Sequence, residues 1–445
     1  MHELITRTIA AIPEPDLAAM NWARLRQEQL TKPPGSLGRL EELAIRVVGI
    51  TGQVPPVLRR KVVIVVAADH GVTVEGVSAY PREVTAQMVQ NFLRGGAAIN
   101  VLARGAGADV VVVDAGVDAE LPAAPGLIAA KVRRGTGNLA RELAMTRAEA
   151  EECLATGIRV VQAQIDRGVD LVATGDMGIG NTTPSSAITA VITGRPVAEV
   201  TGRGTGITAE QLRHKIQVIE RALALHRPDP SDPIGVLSAV GGLEIGVLAG
   251  VMIGAAARRV PVVIDGFISG AAALIAVTLA PAVAFSLIAA HNSVEVGHRA
   301  ILAHLEKVPL LNLDLRLGEG TGAVLAFAII EQAVRILNEM ATFREAGVSG
   351  RSAPREVARR FARRREGYLH ALEGGIWDDP FRHVDGRRYR HIVSTDLGRL
   401  IAWAEARGIS RSRIVRRDLR DYRRNGERVV AWHIDLGGPY LDVEP

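Results

Sequence analysis

The sequence has almost no cysteine. Cys153 is the only one among 445 residues, so the chain cannot form an internal disulfide and has no cysteine cluster for zinc or an iron–sulfur centre. Aromatic residues are also scarce, at 4%, whereas 48% of the residues are hydrophobic and 23% are charged. This composition is typical of a globular protein with an aliphatic core. The length allows two or three domains.

Signals for export and for membrane insertion are weak. The N-terminus, MHELITRTIAAIPEPD, has acidic residues and prolines where a secretion signal has a basic start and an apolar core. Gly266–Ala290 contains no charged residue and is long enough to span a bilayer. It is rich in small residues, however, and Pro281 divides it into two shorter pieces. We therefore expect a buried helix followed by a buried strand, in a cytoplasmic protein with no membrane partner.

Lysine is absent from residues 351–445, which contain 21 Arg and 14 acidic residues. The first 350 residues hold 32 basic and 34 acidic residues, so the excess positive charge lies in the tail. A linker-like segment, AGVSGRSAP, separates the two parts. We predict a main domain over residues 1–350, a basic helical linker over 351–375 and a small α+β module over 376–445. A solvent-exposed basic face is a more common role for such a linker than nucleic-acid binding, so a nucleic-acid partner is not expected.

Short apolar runs in the first 350 residues repeatedly end in loops that carry Gly or Asp. Their β-branched residues are typical of a parallel sheet that helices cover on both faces. The predicted strands are Val62–Ala68, Asp109–Val113, Leu171–Thr174, Val260–Ile264 and Leu311–Leu317. Residues 1–60 are predicted to be helical and to form a small cap. The predicted fold class is α/β and Rossmann-like, with ligands bound at the carboxyl ends of the strands.

One strand leads into a loop that suits a phosphate group. The loop GDMGIGNTT (175–183) contains Gly175, Gly178 and Gly180 and precedes Pro184. We expect a threonine at the N-cap of the next helix and the proline in its first turn. A glycine-rich turn before a helix presents free N–H groups to an anion. The spacing is neither a Walker A motif nor a dinucleotide fingerprint, and a tight turn without a ligand is the alternative interpretation.

A second loop suits a general base. In LGEGTGA (317–323), Glu319 stands between Gly318 and Gly320. Burial beside Leu317 would disfavour the charged form of this carboxyl group and raise its pKa, which is useful in a base. A solvated carboxylate in a loop or at the start of a helix is the alternative.

Five motifs in order resemble those of nicotinate-nucleotide:dimethylbenzimidazole phosphoribosyltransferases. The opening signature is KPPGSLGRLEELA, and the longest motif runs from Asp69 to Arg104. The others are GDMGIGNTT, GRGTG and LRLGEGTGA. The resemblance extends over residues 5–349 and leaves the tail outside. Five long motifs in the correct order are far more specific than a single glycine loop.

The resemblance implies a reaction. The phosphoribosyl group of nicotinate mononucleotide moves to 5,6-dimethylbenzimidazole or a related base, giving α-ribazole 5′-phosphate for the lower ligand of cobalamin. In the family the glutamate of the LGEG motif is the base, which is Glu319 here. A homodimer is also implied, whereas no metal or other cofactor is expected.

The resemblance assigns further residues to the two substrates. The donor nucleotide and its phosphate are expected at Gly178, Gly180, Asn181, Thr182, Thr183, Lys215, Gly318 and Gly320. The base pocket is expected to include Ser78, Tyr80, Gln87, Met88 and Leu317. Asp176 and Asp265 are left without an assigned role, because some relatives have a longer glutamate at the first position.

Two other functions stay open. A hydrolase acting on the same nucleotide would need a polar acceptor pocket, and a non-catalytic nucleotide-binding protein could dispense with Glu319. His70, His291 and His298 do not have the spacing of a standard metal site, so polar lining or helix-end roles are expected. In the tail, His391, His433 and Asp435 are candidates for a site, with ordinary structural roles as the favoured interpretation.

Overall fold

The computed structural model describes residues 1–349, 377–384, 387–407, 409–411, 414–421 and 427–437. The chain divides into two compact units. The first comprises Met1–Glu28 and Lys32–Met340, and the second comprises Gln29–Thr31 and Ala341–Pro445.

The first unit contains a six-stranded sheet in the order β3-β2-β1-β4-β5-β6, and every neighbouring pair of strands is parallel. Its strands are β1 (Lys61–Ala68), β2 (Ala108–Gly116), β3 (Leu127–Ala129), β4 (Leu171–Met177), β5 (Val262–Ile264) and β6 (Leu287–Ala289). The predicted parallel α/β sheet is confirmed. The sequence prediction did not include β3.

The prediction of a strand over Leu311–Leu317 is wrong. This segment contacts the residues just after β6 through single hydrogen bonds, such as Asn292 N–H to the Leu311 carbonyl at 2.9 Å. Asp314 has a φ of 53°, in the left-handed region that interrupts an extended chain. A run of leucines alternating with polar residues therefore resembled a strand without forming one.

Helices cover both faces of the sheet. They are α1 (Glu3–Ala10), α2 (Leu17–Gln29), α3 (Arg39–Thr51), α4 (Val84–Leu93), α5 (Ala98–Ala106), α6 (Arg147–Asp166), α7 (Thr182–Thr193), α8 (Val197–Val200), α9 (Ala209–His226), α10 (Pro233–Val240), α11 (Leu243–Ala257), α12 (Phe267–Leu279), α13 (Val296–His304) and α14 (Thr321–Glu339). Residues 1–60 are thus mainly helical, as predicted. Among these first helices, α1 packs against α6 and α11, whereas α3 packs against α14.

The central strand β1 shows why the pattern is a continuous apolar run. All eight of its residues are buried. Val62, Ile64 and Val66 belong to the core cluster that contains α11 and α12. Val63 and Val65 belong to the other cluster, which contains α3 and α14. Because both faces are covered, alternation between apolar and polar residues is lost.

Gly266–Ala290 forms α12, a 3₁₀ helix over Pro281–Ser286 and then β6. The predicted buried helix and buried strand are confirmed. Among the described residues, α14 is the helix that is long and apolar enough to cross a membrane by length and composition. Its residues Val324, Phe327 and Ile330 are buried in the core of the first unit, as in a helix of a globular protein.

The second unit contains a four-stranded antiparallel sheet in the order β7-β8-β10-β9. Its elements are β7 (Trp377–Val384), β8 (Arg387–Ser394), α15 (Leu397–Glu405), β9 (Val415–Asp421) and β10 (Glu427–Gly437). Ile392, Leu400, Ala404 and Ile409 form a small core. The predicted basic linker over 351–375 lies outside the described residues.

Candidate active site

The polar segments that follow the strands meet at one edge of the sheet. β1 is followed by Asp69 and His70, β4 by Gly178, β5 by Asp265, and β6 by His291. The strand order reverses between β1 and β4, and open α/β sheets bind ligands in the crevice at such a switch point. The residues that the sequence singled out therefore converge here.

The loop from β4 to α7 turns sharply through Gly180, which has a φ of 91°. The N-cap of α7 is Asn181, so the expectation of a threonine N-cap is wrong. Asn181 does not cap the helix through its side chain, because its amide donates to Asp176 Oδ2 at 2.9 Å. Thr183 is completely buried within the first turn of α7.

Several backbone N–H groups of this loop are already in use. Ile179 N–H donates to Thr85 Oγ1 at 3.1 Å, which ties the loop to α4. The N–H groups of Asn181 and Thr183 donate to carbonyls of Gly178 and Gly180. This leaves the N–H groups of Gly178, Gly180 and Thr182 as the candidates for an anion.

Lys215 brings a positive charge to the start of α7. Its side chain is completely buried, and its Nζ donates to Thr182 Oγ1 at 2.7 Å. Burial lowers the pKa of Lys215 to about 8, and the carboxylate of Glu295 opposes that shift. The ammonium form still predominates at neutral pH. Lys215 therefore lies next to the glycine-rich loop, and its contact with the donor anion stays a prediction.

Glu319 lies in the second loop, between Gly318 (φ 84°) and Gly320 (φ 91°), and itself has a φ of 62°. A non-glycine residue in this region stores about 1 kcal/mol or more of strain and is often found at functional sites. Glu319 is only 5% exposed. Burial raises the pKa of Glu319, and a hydrogen bond from Ile99 N–H at 3.2 Å partly opposes the shift.

The predicted rise in the pKa of Glu319 thus has the right direction but a different source. Leu317 is 59% exposed, so it does not bury the carboxylate. The loop lies against β4, where a Cβ at Gly175 would be 2.3 Å from the Glu319 carbonyl oxygen. The Ile99 N–H, at the start of α5, was missed because a backbone donor leaves no signal in a side-chain pattern.

Two further carboxyl groups lie beside Glu319. Asp265 accepts hydrogen bonds from Gly320 N–H at 3.2 Å and from Ala323 N–H at 2.9 Å. Burial raises the pKa of Asp265 to about 7, although these backbone bonds oppose the shift. Burial and the neighbouring Asp265 raise the pKa of Asp176 well above its usual value. Asp265 therefore holds the loop that carries Glu319. Asp176 lies next to the same loop at Gly318.

Four of the residues expected to bind the base lie on α4 and on the segment before it, and the fifth, Leu317, lies in the loop of Glu319. Tyr80 is 54% exposed, Gln87 is exposed, and Ser78 and Met88 are half-buried. The segment is linked to the GRGTG loop, because Ala79 N–H donates to Thr205 Oγ1 at 3.3 Å. Arg316 donates to the Gly204 carbonyl at 3.1 Å. Thr205 and Arg316 were not among the predicted site residues, although both lie in the recognised motifs.

The three histidines do not form a metal centre. His70 is paired with Glu244 at 3.0 Å. His291 lies 3.7 Å from Asp265, and burial lowers its pKa. Burial lowers the pKa of His298 to about 3, so this ring is neutral. Within the residues that the structure describes, no group of three or more His, Cys, Asp or Glu side chains could hold a metal ion.

The candidate residues of the tail lie on adjacent strands. The register of β10 and β8 pairs Asp435 with His391 and His433 with Val393. This establishes their backbone positions, and a role for them stays a prediction.

Known proteins resemble this chain over the same region. The profile of a phosphoribosyltransferase family matches residues 12–348. A nicotinate-nucleotide–dimethylbenzimidazole phosphoribosyltransferase of Chloroflexus aggregans is 62% identical over 346 residues, which cover 78% of this chain and 98% of that protein. The enzyme of that name from Geobacter sulfurreducens is 58% identical, with coverage of 78% and 98%.

A solved structure, CobT from Thermus thermophilus, superposes with a TM-score of 0.72 at 52% sequence identity. It covers 74% of this chain and 99% of the Thermus chain. The family profile, the relatives and the solved structure all indicate the same family. The chain belongs to the nicotinate-nucleotide–dimethylbenzimidazole phosphoribosyltransferase family.

Proposed function

We propose that the chain transfers the phosphoribosyl group of nicotinate mononucleotide to 5,6-dimethylbenzimidazole or a related base, with Glu319 as the general base. The products are α-ribazole 5′-phosphate, which supplies the lower ligand of cobalamin, and nicotinate. The observation that carries the proposal is the buried Glu319 carboxyl group at the switch point of the sheet, in a backbone conformation that only its surroundings can maintain.

The chemistry needs one base and no acid. A ring nitrogen of the benzimidazole attacks C1′ of the ribose, and the bond from C1′ to nicotinate breaks. Nicotinate leaves with the bonding electron pair, which neutralises its positively charged ring nitrogen. The second ring nitrogen of the benzimidazole loses its proton to Glu319. Attack opposite to the leaving group inverts C1′ from the β to the α configuration.

The raised pKa of Glu319 suits this role. A base works best when its pKa lies near the working pH, because it then binds the proton firmly while still being largely ionised. The hydrogen bond from Ile99 favours the carboxylate form and keeps the pKa from rising further. Activity should therefore increase as the pH rises through the pKa of Glu319.

The donor phosphate is assigned to the other loop. The N–H groups of Gly178, Gly180 and Thr182, together with Lys215, combine backbone donors with a buried cation. A helix N-terminus favours an anion in the same place. Gly318 and Gly320 allow the donor to approach the backbone of the second loop. Much of the rate would come from holding donor and acceptor in line.

The acceptor is assigned to the surface formed by Ser78, Tyr80, Gln87, Met88 and Leu317. Tyr80 and Leu317 are large, apolar and more than half exposed, so a flat aromatic base would cover surface that is now open to water. This supports transfer to a base over hydrolysis, because water needs no apolar platform.

The decisive test is a product assay with nicotinate mononucleotide and dimethylbenzimidazole, in which mass and anomeric NMR coupling identify the product. We expect α-ribazole phosphate from the wild type and a loss of roughly 10²-fold or more in kcat for Glu319→Gln, the usual scale for a general base. Glu339→Gln is the control, because Glu339 is an exposed glutamate at the far end of α14.

Release of nicotinate without a base adduct would replace the transferase by a hydrolase. No turnover with any flat base would overturn the assignment. We also propose that the protein is cytoplasmic, as expected from its N-terminal sequence, and that it is a homodimer, as the family resemblance implies. Light scattering on the purified protein tests the dimer.

A further inference from the structure

A buried histidine–glutamate pair lies next to the glycine-rich loop of the donor site and takes no part in the proton transfer described above. His70 directly follows β1 and Asp69, and Glu244 is the second residue of α11. Their side chains are both completely buried, and His70 Nε2 lies 3.0 Å from Glu244 Oε1. The pair therefore links the end of the central strand to the start of a core helix.

The imidazole lies close to the loop. A Cβ at Gly178 would lie 3.1 Å from His70 Nε2 and 2.5 Å from the Ala68 carbonyl oxygen, so no side chain fits between loop and ring. A Cβ at Gly180 would lie 2.8 Å from Thr73 Cγ2. Thr73 in turn donates to the His70 carbonyl at 2.8 Å. Gly178 thus lies next to the His70 ring, and Gly180 lies next to Thr73, which is hydrogen-bonded to His70.

A third contact fixes the ring from the other side. A Cβ at Gly242 would lie 2.8 Å from His70 Cε1 and 2.7 Å from Glu244 Oε2. The ring is therefore enclosed between the glycine before α11 and the glycine-rich loop. A change in the position or charge of the ring would be transmitted to the backbone of Gly178.

The pair is costly for a purely structural element. A buried ion pair carries a large desolvation penalty, and apolar residues of similar size are often as stable or more stable in its place. Burial lowers the pKa of His70, but attraction and hydrogen bonding by Glu244, with help from Asp69, outweigh burial and raise it. The imidazolium form is thus more favoured than in an ordinary histidine, next to a loop that is assigned to an anion.

We propose that the His70–Glu244 pair positions the donor-phosphate loop and acts on the affinity for nicotinate mononucleotide rather than on proton transfer. The inference rests on the proposed function, since it takes the loop at Gly178–Thr183 to be the donor site. His70 acts through the loop and is a positioning residue. The negative groups that face it are Glu244 of α11 and Asp69 after β1.

The test uses Glu244→Gln and His70→Asn in the full-length protein. Glu244→Gln keeps the shape and a hydrogen-bonding group but removes the charge that holds the imidazolium. We expect KM for nicotinate mononucleotide to rise about tenfold in both variants, the scale of one charge-assisted hydrogen bond. The KM for dimethylbenzimidazole and kcat should change by less than about threefold, since proton transfer is left intact.

Cys153→Ala is the matched control. Cys153 is also completely buried and packs against α11, where a Cβ at Gly246 would lie 2.8 Å from its Cβ. It should leave both KM values unchanged. If the pair had a merely structural role, its variants would lose kcat in proportion to the loss of folded protein, with KM unchanged, and the proposal would be overturned.

Two further measurements separate this proposal from the proposed function. Calorimetry measures the affinity for nicotinate mononucleotide even if no transfer is seen. The role of the pair in donor binding can therefore be tested even if the reaction fails. The pH dependence of donor binding is the second. Affinity should fall as the pH rises through the raised pKa of His70, and in Glu244→Gln this fall should move to lower pH. An identical pH dependence in both proteins would contradict a role for the charge.

Discussion

The loops 175–183 and 315–323 have similar sequences, yet the structure holds them in different ways. Both follow an apolar segment, contain at least one glycine at positive φ and lead into a helix. The first is held by the hydroxyl of Thr85, which accepts from Ile179 N–H, and by two donors, the Asn181 amide and the Lys215 ammonium group. The second is held by a carboxylate, Asp265, which accepts two of its N–H groups. A glycine loop at a strand end is therefore defined by its partners rather than by its glycines.

The two loops also differ in the charges of the side chains around them. Lys215 keeps a pKa of about 8 in the first loop and so remains mostly protonated. Burial raises the pKa values of Glu319 and Asp265 around the second loop, and that of Asp176, which belongs to the first loop but lies next to the second at Gly318. One loop thus presents positive charge to an anion, and the other holds groups that readily accept a proton. This division is what a transfer reaction with a phosphorylated donor and a single base requires.

The largest effect is expected where the two loops touch. In Gly175→Ala the new Cβ would lie 2.3 Å from the Glu319 carbonyl oxygen and 3.0 Å from Gly320 N, and neither backbone atom can move cheaply. The base and the donor loop should separate. We expect kcat/KM to fall by roughly 10²-fold, the effect of a misplacement of about 1 Å.

Gly105→Ala provides the control for this change, because Gly105 lies in α5 and a methyl group added there would have no atom within 4 Å. Alanine at this position should leave the kinetics unchanged and raise stability slightly, by about 0.5–1 kcal/mol. Normal kinetics in Gly175→Ala would show that the reaction does not need the contact between the loops, and would contradict the proposed arrangement of the two loops.

Removal of the cation tests the first loop alone. Lys215→Met keeps most of the side-chain volume but removes the ammonium group from Thr182. We expect KM for nicotinate mononucleotide to rise about 30-fold, equivalent to about 2 kcal/mol for a charge-assisted bond, with a smaller change in kcat. Steady-state kinetics with each substrate varied in turn measures the difference.

Lys61→Met is the matched control. Lys61 is also a buried lysine and is paired with Glu331, but it starts β1, at the opposite edge of the sheet from the site. Its loss should lower stability without a specific change in the donor KM. Equal effects of both substitutions on KM would assign the result to stability rather than to the donor site.

Asp265→Asn tests how the second loop is held. One of its two N–H donors would face the new amide N–H₂ group, so we expect kcat to fall about fivefold through a cost of about 1 kcal/mol in loop placement. The donor KM should change less, in contrast to Lys215→Met. A selective change in the donor KM would contradict the division between the loops.

The same variant should alter how stability depends on pH. The pKa of Asp265 is raised to about 7 in the folded protein from 3.8. Between these values the folded protein keeps a proton that the unfolded chain loses, so the contribution of Asp265 to stability is lost as the pH rises from about 4 to about 7. The free energy of unfolding in urea, measured across this range, should fall less steeply in Asp265→Asn.

Much of this arrangement follows from sequence. The continuous β-branched run of β1 predicted a strand that is covered on both faces, and the Gly- and Asp-bearing loops after the apolar runs predicted polar residues at the strand ends. The contribution of Ile99 could not be predicted, because its N–H is a backbone group positioned by α5. The pairing of His70 with Glu244 spans 174 positions of sequence and depends on how α11 packs against β1. The strand predicted over 311–317 is wrong because the alternation of leucines with polar residues cannot show that Asp314 takes a left-handed conformation.

The smallest effect is expected from deletion of residues 350–445. The groups that hold the two loops, from Thr85 and Ile99 to Lys215 and Asp265, all precede residue 341, and the family profile ends at residue 348. A chain of residues 1–349 should keep kcat and both KM values within about twofold, as expected for loss of a separate module. Kinetics and thermal unfolding of the shortened and full-length proteins test this. If kcat/KM fell more than about tenfold while the shortened chain stayed folded, the tail would contribute to the site, and the two loops would not be sufficient to define it.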